Sequence, residues 1–135
     1  MAVKIPSVSK STRKVMVDFV VIGDFDKVET IGQYQVEIDV KPMKTALLSG
    51  DDAKDDAKVN AKAIDMCLKS IKSWDLQGED GEVLPIDAES IANLAELQKP
   101  AFDKLMFAIG AVQSGQTQVD RKENEEFFKK FILKN

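Results

Sequence analysis

The chain of 135 residues contains no histidine. Histidine is the commonest general acid–base group near neutral pH and the commonest metal ligand, so its absence weakens the case for an enzyme. Cys67 is the single cysteine, and no disulfide can therefore form within the chain, as is typical of proteins from a reducing compartment. The sequence predicts a non-catalytic protein without a cofactor.

Long hydrophobic runs and an excess of positive charge are also missing. No apolar stretch approaches the ~20 residues that a membrane-spanning helix needs. No apolar segment follows the N-terminal basic residues, as it would in a secretory signal. The formal net charge of −4 argues against nucleic acid as the main partner. We therefore expect a cytoplasmic protein that binds neither membranes nor nucleic acid.

What is present is an ordinary globular composition, 44% hydrophobic and 31% charged, which predicts a single domain over residues 13–135. Residues 1–12 are polar and lack periodicity, and we interpret them as a flexible N-terminal arm. Three β segments are predicted over residues 14–22, 27–31 and 33–40, with Gly32 as a bulge or turn. The short links between them predict antiparallel pairing, as a hairpin or a small sheet.

The rest of the chain shows mainly helical periodicity. A short helix is predicted over Met43–Leu48, and the Asp-rich repeat DDAKDDAK then suits a helix N-terminus. Longer helices are predicted over residues 59–74, 88–98, 100–112 and 120–132, with Asp87 and Asp120 as N-caps. The fold class is therefore α+β, an N-terminal antiparallel β-hairpin or small sheet followed by a bundle of about four helices.

The acidic turn from Asp75 to Asp87 invites a comparison with calcium loops. Placing Gly81 at the sixth position of an EF-hand loop puts Leu76 first and Gly78 third, where oxygen ligands are required. The match fails, and no metal site is predicted. Cys67 lies on the apolar stripe of its helix, so we interpret it as a small core residue and not as a nucleophile.

Two features suit binding to another protein. Trp74 lies where a predicted helix meets the acidic turn; it either anchors that turn on the core or serves as an interface anchor. Residues 118–135 are predicted to form a C-terminal helix, which either packs on its own domain or detaches and enters a partner's groove. Its apolar stripe consists of Phe127, Phe128, Phe131 and Ile132.

Several segments between residues 33 and 112 resemble the tail assembly chaperones of long-tailed, siphovirus-like bacteriophages. They are a strand leading to a Lys-Pro turn (QVEIDVKPMKTALL), a helix ending in Trp (AIDMCLKSIKSW), and an acidic Gly turn with Leu-Pro (DLQGEDGEVLPID). Two helical stretches follow, AESIANLAEL and AFDKLMFAIGAV. The resemblance carries no active-site motif.

The resemblance implies a non-catalytic protein of the host cytoplasm that is absent from the mature virion. Such a chaperone binds the tape measure protein, keeps it soluble and helps recruit the major tail tube protein. It also implies a monomer or small homo-oligomer, with a possible longer form of the chain made by frameshifting. Two alternatives stay open: a structural tail component, such as a tube or terminator subunit, and a small regulatory protein-binding domain.

Overall fold

The computed structural model describes residues 11–41, 51 and 54–123. Three strands form an antiparallel sheet in the order β1 (Thr12–Ile22), β2 (Val28–Asp39) and β3 (Ile71–Trp74). The helices are α1 (Asp56–Ser70), α2 (Ala88–Leu97) and α3 (Lys99–Gln113), and residues 118–123 are also helical. The α+β class is confirmed, whereas the helix predicted over Met43–Leu48 lies outside the described residues.

Strands β1 and β2 form one long hairpin. Alternate residues of β2 are buried from Tyr34 to Ile38, as the sequence alternation predicts. The two predicted segments 27–31 and 33–40 are in fact one strand, because Phe19 pairs with Gly32 and Val20 with Thr30. Ile31 is left without an opposite residue, so the chain bulges there instead of turning.

The prediction of one helix as far as Trp74 is wrong in its last four residues. Helix α1 ends at Ser70, and Ile71–Trp74 become β3, which pairs with β2 through Val36–Ile38. Ile71 and Trp74 are both buried, and their spacing of three fits a helical stripe. A short strand also fits, because the register shift at Lys72 brings both side chains to one face of the sheet. Pairing with β2 decides between them, since it occupies main-chain groups along the outer edge of that strand.

Side-chain caps fix where the helices begin. Asp55 accepts hydrogen bonds from the amides of Ala57 and Lys58 at the start of α1, and Asp87 accepts one from Ser90 at the start of α2. The predicted cap at Asp120 is wrong. Its amide instead donates to Thr117 Oγ1 (3.1 Å), so Thr117 caps the helical residues 118–123.

The core lies between the inner face of the sheet and the helices. Helix α3 packs along β1, and α2 packs on both α1 and α3. Leu105 and Ile109 of α3 meet Val17 and Ile38 of the sheet in one cluster of buried side chains. Helix α1 contributes Cys67 to this cluster, and its partly buried Ala63, Ile64 and Leu68 pack against it.

Candidate protein-binding surface

Trp74 sits at the end of β3 with only 8% of its surface exposed. Its indole Nε1 donates a hydrogen bond to the carbonyl of Leu84 (2.8 Å). The bond ties β3 to the far side of the acidic turn, and the ring packs in the core cluster. Of the two interpretations of Trp74, its burial matches the anchor of the turn and not an exposed contact for a partner.

The acidic turn itself is a minimal hairpin. Gln77 and Val83 form an antiparallel bridge, and the Leu84 amide donates to the Leu76 carbonyl (2.8 Å). Gly81 has a φ of 79°, a left-handed conformation that glycine adopts at little cost. The turn therefore displays Glu79, Asp80 and Glu82 on its exposed side as a preformed acidic surface.

Cys67 is fully buried, and its Sγ lies 3.3 Å from Met106 Sδ. Burial raises the pKa of the Cys67 thiol to about 12, so the thiol stays protonated at neutral pH and is a poor nucleophile. Burial also raises the pKa of Tyr34, with a smaller contribution from Cys67. Within the described part of the chain, no group of three or more acidic or cysteine residues could hold a metal ion.

The β1–β2 hairpin ends in an apolar tip that sequence reasoning did not identify. We call residues 22–28 the hairpin tip. Ile22 is 59% exposed, Phe25 95% and Val28 68%. Strand alternation alone could have found Ile22 and Val28, but it could not show that none of the described helices covers them.

The backbone of the hairpin tip is unusual at the same place. Phe25 and Asp26 have φ values of 59° and 58°, a left-handed conformation that is uncommon for residues with a side chain and most of all for a bulky one. The turn is closed by the Gly23 amide, which donates to the Lys27 carbonyl (2.7 Å). The phenyl ring on this strained backbone lies in solvent, and such outliers concentrate at functional sites.

Beside β2 lies a groove of about 300 Å³, which we call the edge groove. It is lined by Phe19, Ile31, Gly32, Gln33, Tyr34, Asp75, Leu76 and Gln77. The rings of Phe19 and Tyr34 meet edge to face, with centroids 6.3 Å apart. A second hollow of about 210 Å³ shares Phe19, Leu76 and Gln77 with it and extends to Leu97 on α2, so the apolar surface is continuous.

The described start of the C-terminal helix contacts the rest of the domain. Gln118 Nε2 donates to the Met16 carbonyl (2.8 Å), and the Arg121 guanidinium stacks on the Phe107 ring at 5.4 Å. A Cβ at Gly110 would overlap that guanidinium, so a larger residue there would require the arginine side chain to shift. The predicted partner-binding residues Phe127, Phe128, Phe131 and Ile132 lie outside the described residues, so their role stays a prediction.

Comparison with known proteins adds no identification. No protein-family model, no curated protein and no solved structure matches the chain. Within the described residues, no helix is long and apolar enough to cross a membrane.

Proposed function

We propose that the protein is a non-catalytic phage tail assembly chaperone, which binds the tape measure protein, keeps it soluble and helps recruit tail tube subunits. The resemblance over residues 33–112 supports the family. The hairpin tip supports the activity, because a chaperone needs apolar surface that is available before its client arrives. The site of action would be the host cytoplasm.

The observation that carries the proposal is the exposed phenylalanine of the hairpin tip. Phe25 is 95% exposed and lies between Asp24 and Asp26. Aromatic side chains bury large apolar areas at interfaces and are enriched among the contacts that contribute most to binding. The two flanking carboxylates keep the tip hydrated when no client is bound, and they favour a client with basic residues.

The first test is genetic. The DNA at the 3′ end of this gene is expected to carry a slippery heptamer and an overlapping frame, followed by a very long helical reading frame. That long product is then expressed alone and together with the chaperone, and its soluble fraction is measured. Co-expression is expected to raise the soluble fraction. An unrelated gene neighbourhood would overturn the phage assignment.

Variants then test whether the hairpin tip does the binding. Phe25→Ser is expected to abolish the gain in soluble client, while its own unfolding curve stays close to wild type because the ring contacts little of the domain. Val59→Ser is the matched control, since Val59 is also exposed but lies on α1. Equal loss of client solubility in both variants, or in neither, would contradict a binding role for the tip.

The second candidate, a structural tail subunit, is favoured by one observation. The outer edge of β2 is unpaired over much of its length among the described residues, and strand pairing between copies could build a ring or tube. Light scattering after size-exclusion chromatography separates the two. Rings or tubes formed by the purified protein would favour the structural subunit, and a monomer or small oligomer the chaperone.

A further inference from the structure

Strand β2 is paired along only part of its outer edge. On that side β3 pairs with Val36–Ile38. Beyond it, the Gln35 amide donates a hydrogen bond to Asp75 Oδ1 (2.6 Å), and the Asp75 amide donates one to the Gln35 carbonyl (3.1 Å). The chain then leaves the sheet at Leu76 for the acidic turn. Residues 28–34 have no strand partner on this side among the described residues, and we call them the open edge.

The open edge has main-chain groups ready to pair. Alternate residues of a strand direct their N–H and C=O groups to opposite neighbours. Since Gln35 directs its groups away from β1, Gln33 does the same and aims them over the edge groove. At about 3.3 Å per residue, the seven residues of the open edge offer roughly 23 Å of backbone, enough for a strand of ordinary length.

Gly32 provides the second observation. It lines the edge groove, its φ is not in the left-handed region, and a Cβ built on it would meet no atom within 4 Å. Neither a positive φ nor packing within the described domain therefore requires glycine here. A glycine inside a strand weakens it and often marks either a bulge, such as the one at the neighbouring Ile31, or a place where another backbone approaches closely.

The charge around the edge groove is strongly acidic. Between residues 18 and 35 there are four carboxylates and a single base, Lys27. Asp75 lines the groove and the acidic turn follows it, with Glu79, Asp80 and Glu82 exposed. No base occurs between residues 73 and 98. A second copy pairing here edge to edge would bring like charges together, whereas a basic segment would be attracted.

We propose that the open edge of β2 binds an extended, basic segment of a partner protein by strand addition. Apolar residues at alternate positions of that segment enter the edge groove against Phe19, Tyr34 and Leu76, while its basic residues face the carboxylates. Main-chain hydrogen bonds at Gln33 supply the binding common to all such segments, and the groove selects the side chains. This surface shares only Val28 with the hairpin tip and is independent of the phage assignment.

A fluorescently labelled octapeptide of alternating Lys and Val is the probe, titrated with the full chain at low salt and followed by fluorescence polarisation. Two controls have the same length: a Glu–Val octapeptide, and the Lys–Val peptide with N-methylated amides, which cannot pair as a strand. The Lys–Val peptide is expected to bind at least about tenfold more tightly than either control. Equal binding of the N-methylated peptide would show a purely electrostatic contact and overturn strand addition.

Variants locate the contact. Gln33→Pro removes an N–H that faces away from β1. Gln33→Thr is the matched control, because it keeps that N–H, and both variants lose the side-chain bond to Asp18 Oδ1 (2.6 Å). Proline is expected to weaken binding of the Lys–Val peptide at least about tenfold and threonine less than about threefold. Equal binding by both variants would contradict pairing at Gln33.

A substitution at Gly32 separates a loss of binding from a loss of folding. Gly32→Val fills the groove with a residue that favours strands, so its unfolding midpoint is expected to stay the same or rise while peptide binding is lost. Thr12→Val, on β1 at the far end of the hairpin and outside both the open edge and the groove lining, is expected to retain binding. A Gly32→Val protein that is folded and still binds the peptide would overturn the proposal. Dimers of this chain that form through the open edge and dissociate when the peptide is added would also overturn it.

Discussion

The two ends of the β1–β2 hairpin carry similar apolar side chains, which are covered at one end and exposed to solvent at the other. At the base, Val17, Val36 and Ile38 are fully buried beneath the helices. At the tip, Ile22 and Val28 have comparable side chains and are largely exposed. The difference is not in hydrophobicity but in coverage, because α3 runs along β1 and the described helices leave the tip bare.

Coverage therefore divides the molecule into a part that provides stability and a part free to bind. Apolar area removed from water contributes about 25 cal/mol per Å², and only the base gains it on folding. The tip contributes almost none of this energy and even holds two residues in left-handed conformations. Variants at the two ends should consequently separate stability from binding.

The largest effect is expected in the covered region. Leu105→Ala removes a fully buried side chain where α3 meets the sheet and leaves a cavity, so the free energy of unfolding should fall by about 2–5 kcal/mol. Chemical denaturation followed by circular dichroism measures it. Leu97→Ala, on an exposed leucine of α2, is the control and should change stability by less than about 0.5 kcal/mol. Similar losses of stability in both variants would contradict the division between the covered and the exposed parts of the molecule.

A smaller effect is expected at Trp74, where the covered core meets the acidic turn. Trp74→Phe keeps an aromatic ring but leaves the Leu84 carbonyl without its indole donor, which should cost about 1–3 kcal/mol. Hydrogen exchange at the Leu84 amide should speed up, because its bond to Leu76 closes the acidic hairpin. Ser73→Ala, at the exposed neighbour on β3, should change neither quantity. An unchanged exchange rate at Leu84 in Trp74→Phe would show that the indole does not hold the turn.

Much of this fold follows from local sequence rules. Asp87 and Pro100 mark the starts of α2 and α3, and the alternation from Tyr34 to Ile38 marks the buried half of β2. These features act within a few residues, so one segment is enough to recognise them. Cys67 was also correctly placed in the core, since its position on an apolar stripe is a local property.

The errors arose where distant segments decide the structure. Residues 71–74 fit a helical stripe, and only β2, more than thirty residues earlier, makes them a strand. The same holds for the candidate surface. The sequence singles out Trp74 as a rare residue, yet its exposure depends on Leu84 and the core around it. Phe25 looks like any loop phenylalanine until the structure shows that nothing described covers it.

The smallest effect tests the strain at the hairpin tip. Asp26→Gly relieves a left-handed residue, worth about 1–2 kcal/mol, and loses about 0.4–1 kcal/mol through the freer unfolded chain. The net gain in stability should be about 0–1.6 kcal/mol, measured by chemical denaturation. Phe25→Gly should gain a similar amount, since its φ of 59° is equally suited to glycine.

The two glycine variants differ in what they leave for a client. Asp26→Gly retains the phenyl ring and should keep the client soluble, whereas Phe25→Gly should be more stable than wild type yet inactive. A protein that becomes more stable as it loses binding cannot owe the loss to misfolding. If instead Phe25→Gly lowered the stability, the ring would be part of the packing after all, and the division between the two ends of the hairpin would fail at the residue that defines it.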